Sequence, residues 1–78
     1  MATLLRRFWF PGQGCWGVGV TAFTKEEASA LAEQTAARLG WRLAGGVVED
    51  VDVRTLDQQH VIPNMGACSD AGVWFPAL

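Results

Sequence analysis

An aromatic phrase stands near each end of this 78-residue chain: Phe8-Trp9-Phe10-Pro11 returns as Val73-Trp74-Phe75-Pro76. Both are short apolar runs rich in aromatic rings, the pattern of strands on a half-buried sheet. Each ends at a proline, which has no N–H to give to a ladder. They predict two strands whose rings fill much of one small core, under a single helix. The phrase constrains the fold and carries no chemistry.

The length predicts one domain, 1–78, with a thin core, because so short a chain buries only a little over about 60% of its unfolded surface. The chain is 50% hydrophobic, with four Trp and four Phe. Dense aromatic packing is one source of the missing stability, and a partner covering leftover apolar surface is another. Net charge is −2. Only Arg6-Arg7 cluster as cations, too few to neutralise a phosphate backbone, so no nucleic-acid surface is expected. No stretch approaches the roughly 20 apolar residues of a membrane span. Cys15 and Cys68 are too few for a secreted disulfide scaffold, and Pro11 and Gly12 interrupt any signal-peptide apolar region. A cytoplasmic protein with free thiols is expected; a Cys15–Cys68 disulfide needs both loops at one end of the sheet.

Along the chain, Leu4–Phe10 reads as a strand with Phe8 and Phe10 on one face and Leu5, Arg7 and Trp9 on the other. Gly17–Phe23 reads as its antiparallel partner, with Val18, Val20 and Ala22 on one face. Gly17 and Gly19 leave room on the other face for a backbone or a large ring. Thr24-Lys25-Glu26-Glu27 is a capping box, worth about 1 kcal/mol. Ala28, Leu31, Ala32, Thr35 and Leu39 follow at helical spacing, and Gly40 suits the left-handed residue after the last turn, with Trp41 folding back. Val47–Val53 reads as an edge strand whose Asp50 and Asp52 share one face while Glu49 points away. Val61-Ile62 reads as extended before Pro63. Gly72–Phe75 is the last strand. The order is β-β-α-β-β, an α+β domain with one amphipathic helix packed on a mostly antiparallel sheet.

Chemistry is sparse. Gly12-Gln13-Gly14-Cys15-Trp16-Gly17 matches Gly-x-Gly-x-x-Gly, but a strand rather than a helix follows it, so it reads as a hairpin loop and no nucleotide cofactor is expected. Trp16 within it either closes the core at one end or is offered to a partner. Cys15, His60, Cys68 and Asp70 lack the paired close spacing of zinc ligands, so no metal is expected. His60 with Cys68 has the residue types of a base and a nucleophile. His60-Val61-Ile62-Pro63-Asn64-Met65-Gly66 joins a polar ring, a rigid proline, a turn asparagine and an adaptable methionine.

Together the segments Phe8–Pro11, Gly17–Phe23, Val47–Val53, His60–Gly66 and Gly72–Pro76 resemble a group of small uncharacterised bacterial proteins. That resemblance implies a free-standing cytoplasmic protein and brings no activity or functional residue with it.

The expectation is a small non-enzymatic protein-interaction module, binding a protein partner or itself as a homodimer through exposed aromatics. Trp16, His60, Asn64, Met65 and Trp74 are the expected contact residues. By size alone an immunity- or antitoxin-like role suits it. The alternative is a small ligand-binding or thiol-dependent enzyme with a pocket between the Gly12–Gly17 loop and the His60–Gly66 turn.

Overall fold

A four-stranded antiparallel sheet divides the molecule, with one helix on one face and a long irregular segment on the other. The structure, a computed structural model, describes residues 4–76. Its elements are β1 (Arg6–Pro11), β2 (Gly17–Ala22), α1 (Lys25–Leu39), β3 (Val48–Glu49) and β4 (Gly72–Phe75), with single 3-10 turns at Val53–Thr55 and Ile62–Asn64. The strand order is β3-β1-β2-β4, every pair antiparallel. The fold is therefore α+β in the expected order.

Alternation along β1 sorts its side chains as the sequence predicts. Phe8 and Phe10 join Val18, Val20 and Ala22 beneath Ala28 and Ala32 of α1. The short alanines let the helix lie close on the sheet. The helix starts where Thr24 Oγ1 accepts from the Glu27 N–H at 3.1 Å. It ends where Gly40 takes φ 70° and the Trp41 N–H reaches back to the Ala36 carbonyl at 2.8 Å, a Schellman closure.

The other aromatic residues lie elsewhere. Trp9, Trp74 and Phe75 form a second cluster with Val51 and Val61 on the opposite face of the sheet. Trp9 meets Trp74 at 6.1 Å and Phe75 at 5.6 Å between ring centroids. The rings from both ends of the chain do meet, but under the 50–71 segment rather than under the helix, and the single predicted core is two. A bulge explains part of this. Gly19 pairs with Phe75 and Val20 with Val73, so Trp74 is the extra residue and neighbours Trp74 and Phe75 turn to the same face. The ring of Trp74 then lies over Gly19, where any Cβ would run into it.

Three further expectations are corrected. Pro11 closes β1 from within the strand, one residue beyond the expected end at Phe10: it is the last strand residue, opposite Gly17, and its carbonyl accepts from Ala44 N–H at 2.9 Å. A proline is tolerated there because only its acceptor is used. The Val47–Val53 strand stops at Glu49, because Asp50 turns into the left-handed region at φ 54°. Strict alternation fails at that turn, so Glu49 and Asp50 both reach Arg6, at 3.2 and 2.7 Å. Asp52 pairs instead with Arg54 at 2.8 Å. Val61-Ile62 is not extended: Val61 has helical angles and Ile62–Asn64 forms a 3-10 turn with Pro63 in its first positions, where a missing N–H costs nothing.

Asp50 is also where the chain changes face. Val47 before it packs on the helix-side core, and Val51 after it is buried on the other side. The Val51 N–H donates to Arg7 carbonyl at 3.1 Å, and the Arg6 guanidinium grips Asp50 while lying 5.1 Å over the Phe8 ring. The 50–71 segment is thereby pinned along the β1 edge before it crosses the sheet.

Candidate functional site

Two loops separated by over 40 residues converge at one end of the sheet. The first is the β1–β2 hairpin loop, which carries Trp16. Gly17, at φ 127°, lets the chain enter β2 directly beside it; a side chain at Gly17 would strike the Phe10 carbonyl and the Trp9 ring. Trp16 is therefore swung out at 47% exposure instead of closing the core.

The second loop is the 57–66 turn. Asp57 Oδ1 accepts from the backbone N–H groups of Gln59 and His60, at 2.9 and 2.7 Å, and sits 3.2 Å from His60 Nδ1. Donation by the His60 and Gln59 backbone holds the Asp57 carboxyl below its ordinary pKa range. The Asn64 amide donates to the His60 carbonyl at 2.7 Å, and the Gly66 N–H to the Trp74 carbonyl at 2.6 Å. The turn is thus tied to itself and to β4. It presents His60 face-on to Trp16, with ring centroids 4.6 Å apart and planes 19° apart.

Beside this stack runs an open groove of about 490 Å³, lined by Trp16, His60, Pro63, Asn64, Met65, Phe75 and Pro76. Of the five residues predicted as contacts, the structure brings four together here. The fifth, Trp74, is corrected: at 1% exposure it is a core residue and is not part of the groove lining. Pro63 stands in the His60–Gly66 turn expected to line a pocket, whereas Phe75 and Pro76 were missed. Their signal was the proline closing the aromatic phrase, which reads locally as a strand boundary rather than as a wall.

The lining of the groove is aromatic, prolyl and thioether, with one asparagine and one histidine as polar groups. No thiol, hydroxyl or carboxylate lines it. Cys68 belongs to another, smaller pocket with Arg7, Thr21 and Asp50; its carbonyl accepts from Thr21 Oγ1 at 2.6 Å and Arg7 Nε at 3.3 Å. Cys15 lies in the hairpin loop at the far end of β1, its Sγ 3.6 Å from the Arg42 carbonyl. Both thiols are free. The length of the hairpin separates them, so they do not occupy the same sheet end. Among the described residues no group of three or more His, Cys, Asp or Glu is placed to hold a metal ion. Nor is any helix among them long and apolar enough to cross a membrane.

The chain matches no protein-family model, and comparison with curated proteins and with solved structures gives no significant match.

Proposed function

We propose that this protein is a small, cytoplasmic, non-enzymatic interaction module that takes an extended apolar segment of another protein into the Trp16–Met65 groove. One observation carries the reading: a half-exposed tryptophan, stacked on His60, forms the wall of a groove whose other lining residues are Asn64 and the apolar Pro63, Met65, Phe75 and Pro76. Large aromatic rings with few rotamers give contact area at low entropic cost, and they dominate binding energy where they are fully covered. Met65 supplies an adaptable surface. The Asn64 amide oxygen remains as an acceptor for a backbone N–H of the bound segment.

The absence of a nucleophile from the lining weighs against thiol-dependent catalysis at this groove, since its one base, His60, has no reactive partner there. The near-neutral charge weighs in favour of protein over nucleic acid as the partner.

The test is selection of binders from a random peptide library on the intact protein, followed by affinity measurement against Trp16→Ala. The expected result is a loss of affinity of about tenfold or more, with the denaturation midpoint nearly unchanged, because Trp16 packs on the surface. Selected peptides that bind Trp16→Ala as tightly as the parent protein contradict the proposal. So does a Trp16→Ala protein that no longer folds, because it makes the ring a structural element.

A further inference from the structure

A second groove lies on the opposite side of the sheet, independent of the Trp16 site. A helix is about 10 Å across and strands are about 4.8 Å apart, so one helix covers about two strands. In this fold α1 sits mainly over β2 and β4. The β1–β3 half of the same face is left with a groove of about 610 Å³. Phe10 is part of its lining; Trp41 and Val47, half-buried, form one wall. The other wall is a stripe of α1 carrying Lys25, Ser29 and Glu33.

That stripe is its own complement. Lys25 and Glu33 stand four residues to either side of Ser29, about 6 Å each way along the axis. Neither has an ion-pair partner among the described residues. A second copy of α1 running antiparallel and crossing at Ser29 sets Lys25 of each copy against Glu33 of the other, two attractive pairs made by one two-fold axis. The small residue at the crossing lets the helices approach, and the partner helix lies over the groove, whose floor and far wall are apolar at Phe10, Trp41 and Val47 and carry one further cation, Arg42. A two-fold interface must be self-complementary in this way.

We infer that this protein associates with a second copy of itself through the α1 groove, with Ser29 on the two-fold axis and Lys25–Glu33 pairs setting the register. Trp41 and Val47 supply the apolar contact; the charges select orientation more than they add affinity.

Sedimentation analysis of the full chain from about 1 to 200 μM tests this, since a dimer's population rises with concentration. The wild-type chain is expected to dimerise. Lys25→Glu and Glu33→Lys each place like charges at both crossing points and should weaken dimerisation about tenfold or more, with helical circular dichroism unchanged. Mixing the two single variants restores both attractive pairs, so the mixture should form the heterodimer that neither forms alone. Trp16→Ala should leave the dimer intact, which separates this interface from the Trp16 groove. A wild-type chain that stays monomeric throughout overturns the inference and leaves the groove to a helix of some other protein. Single variants that dimerise like wild type, or a mixture that stays monomeric, overturn it equally.

Discussion

Gly19 decides whether Trp74 can lie flat on the sheet. Its missing side chain is the space the indole occupies, and the indole is in turn the largest fully buried side chain. The Nε1–H of Trp74 is buried with no hydrogen-bond partner among the described residues, a penalty of about 1–3 kcal/mol that burial and stacking of the ring must exceed. Gly19→Ala drives a methyl into the face of the Trp74 ring, onto Cζ2, Cη2 and Cζ3. It should destabilise the protein by about 1–3 kcal/mol or more, read as a lower urea midpoint with an unchanged slope. The need for glycine here was legible in the sequence as room left for a large ring. Which ring fills it was not, because the bulge that redirects Trp74 is a property of pairing between distant strands.

At the scale of elements, α1 was the most legible part of the chain. Its cap, its alanine face and its Gly40 closure all depend on residues within a few positions of one another. The segment after it was misread for the same reason in reverse. Val47–Val53 has the alternation of a strand, but its course is set by Arg6, more than 40 residues away, which captures both Glu49 and Asp50. The left-handed Asp50 is the pivot that moves the chain from the helix side of the sheet to the other. A β-branched residue there meets the left-handed penalty of about 1–2 kcal/mol, while glycine avoids it. Asp50→Val should therefore be less stable than Asp50→Gly by about that amount in chemical denaturation, although both lose the Arg6 pair. Equal stabilities would remove the pivot from the account.

The whole molecule is a sheet clad on one side by a helix and on the other by a segment with almost no regular structure. That segment is anchored by Val51 and Val61 in the aromatic cluster and by the Asp50–Arg6 pair, and is braced within itself by exposed polar contacts at Asp52 and Asp57. All three carboxyls sit below their ordinary pKa: Asp50 through Arg6, Asp52 at about 2 through Arg54, and Asp57 through the His60 backbone. For a lowered carboxyl the stabilisation is complete above the unfolded value near 3.8 and is lost as pH falls through the folded value. The protein should therefore hold its stability from neutral pH down to about 4 and lose it progressively towards about 2. The loss should be modest and shrink with added salt, because the three groups are exposed. Thermal melts across that range, at low and high salt, check it; a decline that begins near pH 6 would point to other groups.

The candidate groove belongs to this scale too. Trp16 stood out in the sequence as a large ring in a glycine loop, and His60, Asn64 and Met65 as members of one turn. Their meeting depends on the second layer folding back across the sheet to the hairpin loop, which no local pattern encodes.

The four indole N–H signals give the most direct test of the binding reading. A nuclear magnetic resonance titration of the intact protein with a selected peptide follows Trp9, Trp16, Trp41 and Trp74 together. The Trp16 resonance, with backbone signals of His60, Asn64 and Met65, should shift and saturate while Trp41 and the buried Trp74 stay in place. Saturable shifts at Trp41 with Trp16 unmoved would place binding on the helix side and contradict the account.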